Sequence, residues 1–330
     1  MNVTFSLDSY ETNGGFYTMT NGVYHTKYSG LYKEPKPSNV CYTVGGVKKN
    51  LERKYYAISY SNHLNAGTAT ITLKGINGYT GSVSKTFKID PIPITAYPIT
   101  VGNISDVTYN GVYQYPSVSV KYSGSSSSKE QPHVINMKKG TDYVPVFSNN
   151  KNTGTATVTI KGKGNLTGSV TRTFKIKPKS ISGYSASLAF LSKTYTGSVI
   201  TPDVTVKDPN GNVLFSGNYY NTYSNCTNAG TAKVTVTGVG NYCGTITRTY
   251  QIRPKSIQTG YVVYLSFSSK PYTGKPVKPT VTVKTTSGGY FPSTNYTVSY
   301  VNNINRGLAQ VKITGKGNYT GTILKSFRIT

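Results

Sequence analysis

Residues 65–75 read Asn-Ala-Gly-Thr-Ala-Thr-Ile-Thr-Leu-Lys-Gly, and close variants of this stretch begin at Asn152, Asn228 and Asn305. Its third residue, always glycine, recurs at intervals of 87, 76 and 77 residues. Each copy is followed by a glycine-rich turn and an aromatic segment that ends in isoleucine. A period of this length is typical of one small β domain per copy. The sequence therefore predicts four domains, at residues 1–90, 91–177, 178–254 and 255–330.

The repeated stretch alternates apolar and polar residues, as its third copy shows. Ala232, Val234 and Val236 share one parity, while threonines and a lysine take the other. Such alternation is typical of an antiparallel sandwich, in which one face of a strand is buried and the other is wet. No stretch keeps a 3.6-residue apolar period. We therefore expect an all-β fold: a tandem array of four Ig-like antiparallel β-sandwich domains that form an elongated rod.

Short basic segments that contain proline join the copies, at residues 90–94, 177–181 and 253–257. Proline stiffens linkers, so we expect a semi-rigid array. The first copy carries extra sequence at residues 11–23, and terminal members of an array are often modified for capping or docking. The sequence leaves open whether residues 1–50 form a docking domain or a decorated first sandwich.

The net charge is +26, from 36 lysines and arginines against 10 acids. No acid follows Asp208, so every charged residue of the fourth copy is a lysine or an arginine. Such a chain associates with polyanions in a salt-dependent way. The expected partners are a polyanionic surface or glycan, or a capsid or tail protein bound through the first copy. Nucleic acid is disfavoured as a partner because the lysines and arginines are dispersed along the chain. Membrane insertion is also disfavoured, because no apolar run approaches the roughly 20 residues of a membrane span.

One basic residue per copy breaks the alternation of the last strand. Lys85, Arg172, Arg248 and Lys325 each take a position of inward parity. One interpretation is a repeated anion contact. The other is an edge guard, in which the charge blocks sheet-to-sheet association while its stem packs on the rim of the core. A bulge that changes the parity would also explain the pattern.

Enzymatic chemistry is disfavoured. The three histidines, expected in loops, have no partner at metal-ligand spacing, and the fourth copy has no carboxylate for acid–base work. The glycine-rich turns precede strands rather than helices, which disfavours a phosphate site. The cysteines are expected to be free thiols, because a strand separates the two that share a copy. We expect no enzyme activity, no cofactor, no metal and no small-molecule substrate.

The string Gly-Thr-Ala-x-Val-x-Ile-x-Gly-x-Gly-Asn-Tyr-x-Gly resembles the Ig-like modules arrayed in large surface proteins of Gram-positive bacteria, and of phages that infect such bacteria. The Phe-x-Ile ending at Phe87, Phe174 and Phe327 belongs to the same resemblance. The resemblance covers essentially the whole chain, but it is weak at residues 1–50. It implies stalk or adhesive spacer modules, and it brings no catalytic residues.

These inferences predict a non-catalytic structural or adhesive protein on an extracellular surface, either a virion exterior or a bacterial cell surface. A phage virion appendage or decoration protein is favoured, because the N-terminus is unlike a signal peptide and the cysteines are unpaired. The alternatives are a stalk fragment of a bacterial cell-surface adhesin and a carbohydrate-binding accessory module. In each case, weak contacts from like domains would gain strength through multivalency.

Overall fold

The computed structural model describes residues 2–8, 17–124 and 133–330. Regular structure in these ranges is β-strand, apart from three single-turn 3-10 helices. The chain divides into two compact units, Met1–Lys177 and Pro178–Thr330, and each unit holds two of the sequence repeats. The all-β fold is thus confirmed. The finer division into four domains stays a prediction, because the chain separates into compact parts only after residue 177.

The strands of the first unit follow the two repeats in order. Those of the first repeat are β1 (Asn2–Leu7), β2 (Thr18–Thr20), β3 (Val23–Lys27), β4 (Pro37–Val44), β5 (Val47–Asn50), β6 (Tyr56–Ser61), β7 (Gly67–Gly75) and β8 (Ser82–Asp90), with helix η1 (Arg53–Tyr55) before β6. Those of the second repeat are β9 (Ile92–Pro93), β10 (Ile99–Val101), β11 (Val107–Thr108), β12 (Val120–Gly124), β13 (His133–Asn136), β14 (Tyr143–Ser148), β15 (Gly154–Gly162), β16 (Leu166–Thr167) and β17 (Ser169–Lys177).

The second unit has the same succession of strands twice. Those of the third repeat are β18 (Lys179–Ser180), β19 (Ser185–Leu188), β20 (Ser192–Thr194), β21 (Val204–Lys207), β22 (Tyr219–Ser224), β23 (Gly230–Gly238), β24 (Tyr242–Cys243) and β25 (Thr245–Arg253), with helix η2 (Ser216–Asn218) before β22. Those of the fourth are β26 (Lys255–Ser256), β27 (Tyr261–Leu265), β28 (Ser269–Lys270), β29 (Val281–Thr285), β30 (Tyr296–Val301), β31 (Gly307–Gly315), β32 (Tyr319–Thr320) and β33 (Thr322–Ile329), with helix η3 (Ser293–Asn295) before β30.

Each repeat builds its larger sheet around the repeated stretch. The strand orders are β2-β3-β8-β7-β6, β11-β17-β15-β14, β20-β25-β23-β22 and β28-β33-β31-β30. The repeated stretch forms β7, β15, β23 and β31, each antiparallel to the long strand that follows it. The opposite neighbour of that long strand, β3, β11, β20 or β28, runs parallel to it. The larger sheets are therefore mixed, whereas the alternation alone predicts antiparallel pairing.

A smaller antiparallel sheet faces the core from the other side. Its strands are β1-β4-β5, β10-β12-β13, β19-β21 and β27-β29 in the four repeats. In the fourth repeat, Val263 and Val283 of the smaller sheet share one core cluster with Val311 of the larger sheet. The inward parity of the repeated stretch is confirmed, because Ala232, Val234 and Val236 are all 0% exposed. The two sheets thus form a sandwich around an aliphatic and aromatic core.

The proline-containing segments are not linkers. Each forms a two-residue strand of the repeat that follows, β9, β18 or β26, and pairs in parallel with β16, β24 or β32. The isoleucine after each strand enters the core, and Ile94, Ile181 and Ile257 are 2%, 0% and 0% exposed. Burial of an isoleucine stabilises the sandwich, which is why these segments fold into it. We call β9, β18 and β26, each with its following isoleucine, the plug strands.

The extra sequence of the first repeat widens its larger sheet. Strand β2 pairs with β3 and adds a fifth strand at the edge. Asn21 and Gly22, which connect the two strands, both have positive φ, as a tight hairpin turn requires. Residues 11–16 of this extra sequence lie outside the described residues.

Candidate contact surfaces and the contacts between repeats

The four basic residues singled out in the sequence occupy one equivalent position. Each stands opposite a fully buried aliphatic residue of the neighbouring strand; the pairs are Ile71–Lys85, Val158–Arg172, Val234–Arg248 and Val311–Lys325. The pairing is regular on both sides of every pair. These bases therefore have inward parity without a bulge.

The charged ends of these bases nevertheless reach the rim of the sandwich. Lys85 Nζ lies 5.5 Å from the centroid of the Phe5 ring, and Arg248 Nε donates to the carbonyl oxygen of Ala186 at 3.1 Å. Phe5 and Ala186 belong to β1 and β19, so both bases span from the larger sheet to the smaller one. Arg172 Nη1 donates to the carbonyl oxygen of Thr171 at 3.1 Å. There is one such base in each repeat, and an anion-binding role for them stays a prediction.

Some of the acidic side chains form ion pairs with neighbouring lysines. Lys54 Nζ lies 2.9 Å from Glu52, and Lys177 Nζ lies 3.2 Å from Asp106. The backbone N–H of Lys175 and the Lys177 ammonium hold the pKa of Asp106 below its usual value. Since 10 acids cannot neutralise 36 bases, most of the positive charge has no carboxylate partner within the chain. Its counter-ions must come from solution or from a bound polyanion.

The outer face of each larger sheet adds hydroxyl groups and one lysine from the repeated stretch. Cross-strand neighbours include Thr157 with Thr173, Thr159 with Thr171 and Thr235 with Thr247. The lysines on this face are Lys74, Lys161, Lys233 and Lys312, and all four are exposed. Exposed hydroxyls and ammonium groups can hydrogen-bond to an acidic or hydroxylated polymer. The face offers polar groups on an open sheet rather than a concave pocket for a small molecule.

The residue types that carry catalysis or metal binding are dispersed. Within the described ranges, no three His, Cys, Asp or Glu side chains come close enough to hold a metal ion. His25 and His133 lie in β3 and β13, so the expectation of loops is wrong for both, whereas His63 lies in a turn beside Tyr32 and Tyr60. The three cysteines are free, as predicted.

None of the helices in the described segments is long and apolar enough to cross a membrane.

An asparagine clamp joins the first two repeats within their unit. Asn165, in the hairpin between β15 and β17, accepts from the backbone N–H of Ala66 at 2.7 Å and donates to Asn65 Oδ1 at 3.1 Å. It also donates to Asp142 Oδ1 at 3.0 Å within its own repeat. Asn165 is only 7% exposed, so this amide is satisfied almost entirely by protein groups.

The same clamp joins the third and fourth repeats. Asn318 Oδ1 accepts from the backbone N–H of Ala229 at 2.6 Å, and its Nδ2 donates to Asn228 Oδ1 at 3.0 Å. Tyr195 of the third repeat packs edge-on against Tyr319 of the fourth, with ring centroids 5.5 Å apart. In the first unit, Tyr28 of the first repeat packs edge-on against Tyr122 in β12 of the second, with ring centroids 6.0 Å apart. In each unit, an asparagine amide and an aromatic pair are among the contacts of the described residues that join the two repeats.

Sequence reasoning missed this clamp, although its signal is present. Asn65 and Asn228 begin two copies of the repeated stretch, and Asn165 and Asn318 follow a glycine in the hairpin of the next copy. Both positions are explained by turn propensity alone, because asparagine is common in tight turns. Only the tertiary structure brings the two turns together.

Comparisons with known proteins place the chain in no established group. No protein-family model and no curated protein sequence match it. Among solved structures, it is similar to domains 4–9 of the surface layer protein SbsC, with 12% identity and a TM-score of 0.18, over 99% of this chain and 66% of that one. It is also similar to protocadherin gammaB7 EC3-6 (10% identity, TM-score 0.21, 93% of this chain and 98% of that one) and to protocadherin gamma B2 extracellular cadherin domains 3-6 (9%, 0.19, 96% and 99%).

TM-scores of this size do not establish a shared arrangement of domains. The chain also spans less than two thirds of the SbsC structure.

Proposed function

We propose that this chain is a non-catalytic structural and adhesive protein of an exterior surface, which makes multivalent, charge-assisted contacts with polyanions. The observation that carries the proposal is the uneven charge: every repeat is net positive, and the fourth has ten bases and no acid. The exposed sheet faces offer hydroxyls and ammonium groups beside these charges. Repeated weak contacts on one chain raise the overall affinity through effective concentration.

The salt dependence of binding tests this proposal. Retention of the whole chain on immobilised lipoteichoic acid is compared with retention on neutral dextran, between about 50 and about 500 mM salt. Charge-assisted binding to the polyanion falls steeply over this range, because salt screens exposed charges. Binding that stays constant over the range contradicts the proposal.

We call Lys85, Arg172, Arg248 and Lys325 the rim bases, and a pair of matched variants tests their role in polyanion binding. One variant changes Lys85, Arg172, Arg248 and Lys325 to glutamine, and the control variant changes the outer-face lysines Lys74, Lys161, Lys233 and Lys312 to glutamine. Both variants lose four positive charges, one in each repeat. A larger loss of polyanion binding in the rim variant supports a specific anion contact. Equal losses mean that the charge acts diffusely and that the rim bases are edge guards.

The particle that we propose is a phage virion, with the chain as an appendage or decoration protein. The free thiols Cys41, Cys226 and Cys243 support assembly in a reducing cell interior, where disulfides are rare. The alternative is a stalk segment of a bacterial cell-surface adhesin. Mass spectrometry and imaging of the native source distinguish them: the chain is found either on phage heads or tails, or in cell-wall extracts inside a longer polypeptide.

A carbohydrate-binding accessory module is the second candidate function. It is favoured by exposed aromatic rings, since Tyr97 is 90% exposed and Tyr115 is 66% exposed. Tyrosine rings offer an apolar face with a polar edge, which suits stacking on sugars. Retention on neutral polysaccharide that survives high salt would favour this function over the electrostatic one.

A further inference from the structure

The first repeat contains a groove where the other three repeats carry a plug strand. The groove is a cavity of about 530 Å³ between the two sheets. Its apolar lining includes Leu51, Tyr56, Leu73, Tyr79 and Val83. Thr80 and Gly81 form part of its mouth.

The matching positions in the third and fourth repeats surround a buried isoleucine. In the third repeat, the core cluster of Ile181 contains the counterparts of the five apolar residues, namely Leu214, Tyr219, Val236, Tyr242 and Ile246. In the fourth, the cluster of Ile257 contains Phe291, Tyr296, Ile313, Tyr319 and Ile323. The groove of the first repeat therefore has the lining of an isoleucine site.

The backbone at the groove is also prepared for a strand. In the filled repeats the plug isoleucine donates to the chain beside it: Ile181 N–H to Cys243 O at 2.8 Å, and Ile257 N–H to Thr320 O at 2.8 Å. The counterpart acceptor in the first repeat is the carbonyl of Thr80, to which no described residue donates. Residues 79–80 are accordingly not in a strand, although their counterparts form β16, β24 and β32.

The turn glycines of the third and fourth repeats lie against the serine of their plug strand. A Cβ atom added at Gly244 would lie 2.9 Å from Ser180 Oγ, and one added at Gly321 would lie 3.1 Å from Ser256 Oγ. Both serines belong to plug strands. At the counterpart, Gly81, the added atom would meet nothing within 4 Å. An atom added at Gly168 of the second repeat also meets nothing within 4 Å, although β9 fills that site. The contact therefore marks the serine side chain of the Pro-Lys-Ser-Ile plug strands, which is absent at Gly81.

We propose that this groove of the first repeat is a docking site for an extended strand of a partner polypeptide. The strand pairs in parallel with residues 79–80 and inserts one isoleucine between the sheets. The plug strands define the chemistry of the partner segment, because residues 178–181 and 254–257 both read Pro-Lys-Ser-Ile. A second copy of this chain cannot supply these isoleucines, since they are buried in their own repeats. The proposal does not depend on polyanion binding, because it concerns an apolar groove and backbone pairing.

A peptide of the plug sequence tests the docking site in the whole chain. The probe is Arg-Pro-Lys-Ser-Ile-Gln-Thr-Gly, as in residues 253–260, and the control peptide has aspartate in place of isoleucine. The readout is hydrogen exchange at the amide of Thr80, followed by NMR. We expect the probe to slow this exchange by about tenfold or more, as in a hydrogen-bonded strand, and the control peptide to leave it unchanged. Thr167, Cys243 and Thr320, in the occupied sites, serve as internal references.

A covalent variant tests whether the groove accepts the strand at all. Ile181 precedes Ala186 by five residues, and Ala186 pairs with Val206 in the smaller sheet. Phe5 takes the same place in β1, because its neighbours Thr4 and Ser6 pair with Cys41 and Ser38, on either side of Val40, the counterpart of Val206. Pro-Lys-Ser-Ile joined directly ahead of Met1 should therefore reach the groove, slow exchange at Thr80 and raise the melting temperature of the first unit. The same extension with aspartate in place of isoleucine is its control.

Three outcomes would overturn the proposal. The first is a Thr80 amide that is already protected in the free protein, which means that the groove is filled by the chain itself. The second is equal binding of the isoleucine and aspartate peptides, which means attraction of a basic peptide without insertion. The third is no effect of either the peptide or the covalent extension.

Discussion

At the scale of single residues, tyrosine hydroxyls tie the two sheets together. Tyr60, Tyr223 and Tyr300 each donate to the carbonyl oxygen of a proline, at 2.8, 2.7 and 2.8 Å. These prolines stand 25, 21 and 21 residues earlier in the chain. The sequence shows both residue types in each of these repeats, but not the bond between them. Such a bond contributes about 1 kcal/mol to folding.

The Tyr60 bond makes the first unit sensitive to alkaline pH. Burial, with a smaller effect of Glu34, raises the pKa of Tyr60 from 10.0 to about 12. Because the folded state favours the neutral phenol, this contribution is complete below about pH 10 and is lost as pH rises through about 12. We expect the stability difference between the wild type and Tyr60→Phe to vanish over that range. Denaturant titrations at several pH values measure it, with the exposed Tyr220→Phe as control; a difference independent of pH contradicts the prediction.

A second residue-scale feature is an asparagine with a left-handed backbone conformation, which in each repeat follows the strand before the repeated stretch. Asn62, Asn149, Asn225 and Asn302 have φ between 53° and 56°. Asparagine tolerates this region better than other residues with a side chain, and glycine tolerates it best. Each of these asparagines turns the chain out of β6, β14, β22 or β30 towards the repeated stretch.

Substitution at Asn225 tests this account. Asn225→Ala should destabilise the second unit by about 1 kcal/mol, because an alanine side chain is strained at positive φ. Asn225→Gly should change stability by less than about 0.5 kcal/mol, because glycine adopts this conformation freely. Urea titration of the whole chain measures both. Equal destabilisation by alanine and glycine would show that the side-chain amide matters, rather than the backbone.

At the scale of elements, a plug strand directly follows the last strand of the first repeat in each unit. Only Pro91 separates β8 from β9 in the first unit, and only Pro254 separates β25 from β26 in the second. The last strand of one repeat therefore passes almost directly into the first strand of the next. Within a unit, this continuity leaves a single proline between its two repeats.

The buried isoleucine of the plug strand should be a major source of stability. Ile181→Ala removes a fully buried side chain from a core that also contains Val236 and Ile246, and we expect a loss of about 3 kcal/mol. Leu191→Ala, at a position 71% exposed, is the control and should have little effect. Denaturant titration compares the two variants. Similar small losses in both would mean that the core closes without the plug.

The asparagine clamp predicts a separable effect of its two hydrogen bonds. Asn318→Asp keeps the oxygen that accepts from Ala229 and loses the donor to Asn228, whereas Asn318→Ala loses both. We expect the amide of Ala229 to stay protected from hydrogen exchange in the aspartate variant and to lose protection in the alanine variant. The alanine variant should also lose about 1–2 kcal/mol of stability. Unchanged protection in both variants would show that the clamp does not hold the loop.

At the scale of the whole molecule, the two compact units give a prediction about fragments. The boundary lies between Lys177 and Pro178, so residues 178–330 retain the plug strand β18 and Ile181. We expect residues 1–177 and 178–330 to fold separately, with NMR spectra that overlay on the spectrum of the whole chain. Residues 182–330 lack the plug and should be less stable by a similar amount to Ile181→Ala. A fragment 178–330 that does not fold would show that the units depend on each other.

The sequence by itself determined the class of fold and the core. Strict alternation in a repeated stretch commits Val234 and its counterparts to one buried face, and this local pattern needs no knowledge of the partner strands. The charge excess is likewise a property of composition. The parity of Lys85, Arg172, Arg248 and Lys325 could also be read directly, because the period of a strand is fixed.

Only the tertiary structure decided how the segments between copies are used. A short stretch with proline reads as a linker, because its pairing partner lies 63 to 74 residues further along the chain and leaves no local pattern. The clamp of Asn165 and Asn318, the tyrosine–proline bonds and the groove of the first repeat are of the same kind. Each depends on two turns or strands that meet across the core, and such contacts follow from the packing of the sheets rather than from any local preference.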